Sequence, residues 1–177
     1  MIQVEVTLQC DADLSLLDLN PETHSAPDLE TQWQTWVEQW LTVLNPQFSP
    51  IGAYEVSLLL TTDAEIQRLN ATYRHQDNPT DVLAFAALEG DGPTLPEWQA
   101  LPLNLGDIAI SVETAARQAQ AVGHPLTIEL AWLAAHGLLH LLGWDHPDDA
   151  QLRQMLSQQA ELMQVVGLSP PFYDLGE

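Results

Sequence analysis

Three histidines, His136, His140 and His146, fall within the segment HGLLHLLGWDH at spacings that bring imidazoles together. Residues four apart on a helix lie on one face, so His136 and His140 present their rings about one turn from each other. Gly143 permits the left-handed backbone that ends a helix, letting the chain turn back so that His146 supplies a third nitrogen. Three imidazoles leave a tetrahedral ion one ligand short, and that open position distinguishes a catalytic metal site from a structural one. Zinc suits such donors best, although nickel, copper or iron accept a similar set. The competing reading is three unrelated surface or core histidines on an apolar helix.

The spacing HxxxHxxGxxH is also that of the metzincin proteases. In HExxH enzymes a glutamate follows the first histidine and serves as general base. Here that position is Gly137, which cannot accept a proton. The metal frame is present without the peptidase base, which places phosphodiester hydrolysis ahead of peptide hydrolysis.

The surrounding sequence must hold these groups. Ile2, Val4, Val6 and Leu8 alternate with polar residues as in a half-buried strand. From Thr31 to Leu44 the residues Trp33, Trp36, Val37, Trp40, Leu41 and Leu44 share one helical face, a tryptophan stripe that reads as core. Val56, Leu58 and Leu60 form a second strand, and Thr62 to Glu65 has the spacing of a capping box opening a helix through Ile66, Leu69 and Tyr73. After the turn residues Asp77, Asn78 and Pro79, DVLAF predicts a third strand. The stretch from Glu89 to Pro102 breaks the pattern as a loop or hairpin insertion before DIAIS resumes as a fourth strand. Ser111 is expected to cap a helix ending near Gly123, and Thr127 to cap the histidine-bearing helix that Gly143 ends. Pro147, Asp148 and Asp149 suit the first turn of a last helix, with a face of Leu152, Met155, Leu156, Leu162 and Val166. The expected fold class is α+β, a mixed sheet of about four strands covered by about five helices, with the metal site at the end of a central helix.

Composition bounds this picture. With 177 residues, 46% of them hydrophobic, the chain has the length of one domain, so residues 1–177 are read as a single unit. Four arginines and no lysine face 25 acidic residues, a formal net charge of -21 that repels polyanions at long range. Screening over roughly 8 Å at physiological salt still lets a local cationic site hold a phosphate. The lone Cys10 cannot form an internal disulfide and reads as a small apolar strand residue. The start, MIQVEVTLQC, does not resemble a signal peptide, so the expected compartment is the cytoplasm. The apolar run from Leu130 to Leu142 falls short of the roughly 18 residues of a spanning helix, and no membrane segment is expected.

HGLLHLLGWDH resembles the signature HGxLHLxGyDH of the YbeY family of rRNA-maturation endoribonucleases, with Trp144 in the aromatic place. A second block, LNATYRHQDNPTDVLAF from Leu69 to Phe85, is similar to that family's LNxxYR followed by TDVLSF. A third, Leu105 to Ser111, is similar to its LGDIxIS. Three blocks in family order span Leu69 to His146, nearly half the chain. Ala84 stands where the family usually has Ser, Ala86 where Pro is common, and His75 where Gly is frequent.

The resemblance implies a metal-dependent, single-strand endoribonuclease acting on rRNA precursors, in 16S 3′ end maturation and small-subunit quality control. Its implied partners are RNA, the small ribosomal subunit and associated assembly factors, with neither DNA nor a membrane. By position, His136, His140 and His146 become the ligands of one zinc ion and Arg74 the cationic partner in the cleft. A guanidinium can hold a phosphate through two parallel hydrogen bonds and offset charge gathering on it. A salt bridge from Arg74 to an acid such as Asp77 is the bland alternative. No general base is assigned: Asp145, Asp81 and Asp107 are candidates, and attack by the RNA's own 2′-OH is equally compatible. The alternatives from other classes are a metalloprotease-like hydrolase and a metal-stabilised ribosome-assembly factor that does not cut. His24, His75 and His124 lack partner spacing and are expected to be solvated, with Thr127 and Glu129 as helix-start residues.

Overall fold

A computed structural model describes residues 2–12, 26–87 and 100–171. In chain order these form β1 (Gln3–Cys10), α1 (Ala26–Leu44), β2 (Ala53–Thr61), α2 (Asp63–Arg74), β3 (Val82–Ala86), β4 (Leu103–Ser111), α3 (Val112–Val122), α4 (Leu126–Leu141) and α5 (Asp149–Val165). The four strands make one mixed sheet in the order β1-β2-β4-β3, parallel except for β3, which runs antiparallel to β4 at the edge. The expected mixed sheet and helical cover are therefore found.

Period-two alternation decides the two faces. Val56, Leu58 and Leu60 of β2 and Ile108 and Ile110 of β4 join Trp33, Trp36, Trp40 and α4 in the main core. The tryptophan stripe is core, and Trp40 also donates its indole N–H to Leu162 O at 2.8 Å, tying α1 to α5. On the opposite face Leu83 and Ala109 meet Ile66 of α2 in a small second cluster. Each large side chain fully buried this way contributes roughly 1.5–3 kcal/mol.

Helix α4 is apolar nearly all round, the pattern of a helix enclosed by protein. Leu130 to Ala135 are all buried, as are Leu138, Leu139 and Leu141, against β3, β4, α3 and α5. The site is thus built on the most enclosed helix of the fold. Gly106 helps to set the sheet above it: with φ at +128°, an added Cβ would lie 2.1 Å from Phe85 O, so only glycine lets β4 approach β3 there.

Several boundaries differ from expectation, each for a local reason. Helix α1 begins at Ala26 rather than Thr31, because buried Leu29 extends the apolar face by a turn. Thr127 does not cap α4; Pro125, with φ -63° and ψ 149°, is the N-cap and its carbonyl accepts from Ile128 N and Glu129 N. Pro147 lies before α5, whose N-cap is Asp148, its carboxylate accepting from Gln151 N at 2.7 Å. The capping box of α2 is half formed: Thr62 Oγ1 accepts from Glu65 N, while the Glu65 carboxylate turns to Arg68. Asp63 in the first turn accepts from Ser111 Oγ at 2.5 Å, Thr114 Oγ1 at 2.6 Å and Arg117 at 2.9 Å, binding the starts of α2 and α3 together. Most of the expected insertion from Glu89 to Pro102 lies outside the described residues. Among those described, no helix is long and apolar enough to cross a membrane.

Candidate metal centre

The end of α4 has the hydrogen bonds of a Schellman turn. Trp144 N donates to Leu139 O and Gly143 N to His140 O, both at 3.0 Å, with Gly143 at φ +96°. The reversal brings His146 back toward the helix, where Asp145 receives its backbone N–H at 2.8 Å. His136, His140 and His146 consequently each offer a ring nitrogen within 4.8 Å of the other two.

His136 Nε2 and His140 Nε2 stand 3.0 Å apart. Ligand atoms at about 2.0–2.1 Å from a tetrahedral zinc are separated by roughly 3.3 Å, so this pair fits ligation with little adjustment. His146 is exposed at the rim, with its ring centroid 5.8 Å and 5.5 Å from the other two. Among the described residues no fourth His, Cys, Asp or Glu joins the group. Three histidines so placed can hold a metal ion.

Electrostatics favour neutral, ligating imidazoles. Burial pushes the His136 pKa below the usual imidazole range, reinforced by nearby His140 and opposed by a hydrogen bond to Gln159. His140 is lowered by burial and then by His146, while a hydrogen bond with the Trp144 backbone opposes the shift. Both rings therefore keep lone pairs at neutral pH.

His136 and His140 line a cleft of about 690 Å³ whose lining also includes Arg74, Asn78, Asp81, Gly137, Trp144 and Asp145. Arg74, from the end of α2, donates to Ala84 O on edge strand β3 at 2.6 Å and stacks over the Phe85 ring at 5.5 Å. The Asp77 carboxylate, named above as an ion-pair partner for Arg74, accepts from Gln67 at 3.0 Å. Among the described residues Arg74 is the one arginine in the lining, which also includes Asp81 and Asp145. The structure thus brings Arg74 into the same cleft as His136 and His140.

Of the three candidate bases, Asp81 and Asp145 line the cleft, whereas Asp107 does not. Asp81 is already engaged, accepting from Val82 N at 2.8 Å and Gln118 at 3.2 Å. Gly137 has a packing reason as well as a chemical consequence: a Cβ there would lie 2.8 Å from Ile108 Cγ2, so helix and sheet touch where a peptidase carries its glutamate. His75 is exposed as expected, at φ +58°, which explains why glycine suits that position. The expectation that His124 is solvated is wrong: its ring meets the Glu129 carboxylate at 2.5 Å, with the two side chains only 14% and 0% exposed. That contact needs the turn at Gly123 and Pro125, which helical spacing alone does not reveal. His24 lies outside the described residues.

One residue of the site escaped the sequence reading. Gln159 on α5 is buried and reaches His136 Nδ1 at 3.1 Å. The available signal was a polar residue four after Met155 and three before Leu162 on an otherwise apolar face.

Comparison with known proteins agrees with this geometry. The family model described as Endoribonuclease YbeY matches residues 20–167. A relative from Acaryochloris marina, named Endoribonuclease YbeY, is 59% identical over 137 residues, 77% of this chain and 78% of its own. One of the same name from Cyanothece sp. is 54% identical over 170 residues, 96% of each chain. A solution structure of a Thermotoga maritima protein superposes with a TM-score of 0.53 at 26% identity, covering 94% of this chain and 89% of that one. Motif, metal-competent histidines and fold agree with a match spanning most of the sequence, and the chain belongs to the YbeY endoribonuclease family.

Proposed function

We propose that the chain is a zinc-dependent, single-strand-specific endoribonuclease that acts in the cytoplasm on rRNA precursors, at the 16S 3′ end, during small-subunit maturation and quality control. The observation that carries this reading is the convergence of three ring nitrogens within 4.8 Å of one another, two of them from residues that line a cleft with Arg74. His136, His140 and His146 would hold the ion. A divalent ion held there supplies Lewis acidity to water and to a phosphoryl oxygen.

The remaining roles belong to the protein. Arg74 binds a phosphate oxygen of the scissile group, exchanging its bond to Ala84 O for a charge-assisted one that strengthens as negative charge builds. Asp81 or Asp145, both lining the cleft, receives the proton that leaves the attacking oxygen, whether of water or of the neighbouring 2′-OH. An unpaired strand can lay its backbone into this concavity, which a duplex enters less readily. The net charge of -21 leaves little long-range attraction for RNA, so the reading assigns much of the affinity to the small subunit and its assembly factors. The contact of Gly137 with Ile108 supports the nuclease reading over a glutamate-dependent peptidase.

The test is turnover of a purified single-stranded rRNA precursor by metal-loaded protein. Cleavage is expected to stop on chelation, to return with zinc, and to be much weaker on the duplex. Binding of the precursor without cutting would instead identify a metal-stabilised assembly factor. Cleavage that survives complete removal of metal would sink the mechanism.

A further inference from the structure

Gln159 makes two directed contacts whose chemistry determines which way its amide points. Its Nε2 donates to Trp132 O at 2.8 Å, and a carbonyl only accepts, so the amide nitrogen faces Trp132. Its oxygen therefore faces His136 Nδ1 at 3.1 Å, and an amide oxygen also only accepts. The hydrogen of that contact must sit on Nδ1. A neutral imidazole has one N–H, so Nε2 is left as a bare lone pair, and Nε2 is the atom that stands 3.0 Å from His140 Nε2. At 1% exposure Gln159 is shielded from bulk solvent, and Trp132 O belongs to the α4 backbone.

We infer that Gln159 is a positioning residue: its carbonyl oxygen holds His136 as the Nδ1–H tautomer and aims Nε2 at the point shared with His140 and His146. A neutral amide does this without placing a carboxylate beside the ligands, and it makes the docking of α5 onto α4 part of the site. Partners of this kind change metal affinity by about 10- to 100-fold when removed. The inference rests on the metal reading of the three histidines.

The experiment uses the full chain labelled with nitrogen-15, with imidazole nitrogen spectra recorded on metal-free wild type, Gln159→Met and Gln159→Glu. Zinc affinity follows by competition with a chromophoric chelator, and thermal melting is measured alongside. Wild type is expected to show Nδ1–H at His136, Gln159→Met a mixture of tautomers with affinity lowered about 10- to 100-fold. Gln159→Glu keeps the acceptor, so it should retain the wild-type tautomer and most of the affinity even if it melts earlier. A purely structural Gln159 would lower melting in both variants while leaving tautomer and affinity alone, which overturns the inference. An Nε2–H tautomer in wild type overturns it without any variant. Absence of zinc binding by wild type would defeat the metal reading instead, and the tautomer spectra would still decide what Gln159 does.

Discussion

At the N-terminal end of α4, His124 meets the buried carboxylate of Glu129 at 2.5 Å; at its C-terminal end, His136, His140 and His146 converge with no carboxylate among them. The first arrangement places donor and acceptor in direct contact within the protein. The second sets two Nε2 atoms 3.0 Å apart, where lone pairs repel unless a proton or a cation lies between them. The orienting partner differs accordingly: a carboxylate for His124, the neutral amide of Gln159 for His136. Histidine number therefore says little about a site, and the charge of what surrounds the rings says much more.

The contrast can be broken first at the ligands. His140→Ala should lose bound zinc and lower cleavage by on the order of 10³-fold, since the ion supplies several kcal/mol at about 1.4 kcal/mol per decade of rate. Metal analysis paired with single-turnover cleavage checks it, and full metal retention would speak against ligation. Arg74→Ala should keep the metal and reduce kcat/KM by about 10²- to 10³-fold, the range for losing one donor to developing charge. Equal loss of metal would mean that Arg74 supports the fold of the site instead of the phosphate.

At the other end of α4, His124→Ala should destabilise the protein by about 1–3 kcal/mol, as expected for removing one partner of a buried hydrogen bond, with zinc affinity unchanged. Denaturant unfolding and metal competition on one preparation separate the two effects. Gly137→Ala places a methyl group 2.8 Å from Ile108 Cγ2 and should cost about 1–3 kcal/mol by overpacking. A variant as stable as wild type would show that α4 and β4 have room to part.

The smallest expected effect is on pH dependence. His136 and His140 have folded pKa values below the unfolded value of about 6.5, so beneath that pH the unfolded chain binds more protons than the folded one. Stability of the metal-free protein should thus fall as pH drops through that range, and zinc affinity should stay level above it and decline only below. Melting temperature and chelator competition across pH 5 to 8 test the sign. Stability that rises on acidification would contradict the lowered values.

What was legible in the sequence was whatever depends on local periodicity. The alternation in β1 and β2 specified which face each side chain takes, and the interval of four between His136 and His140 followed from helical geometry before any packing was known. The spacing to Gly143 likewise anticipated the turn that returns His146. Tertiary structure alone decided the partners that arrive from distant sequence: Gln159 against His136, Arg74 over Phe85, and Ile108 against Gly137. It also decided that His124 is paired with Glu129, because that contact depends on a corner between two helices. Periodicity is a property of the chain next to itself, whereas hydrogen-bond partners and burial depend on how separate elements dock, and it is docking that turns three histidines into a directed set of lone pairs.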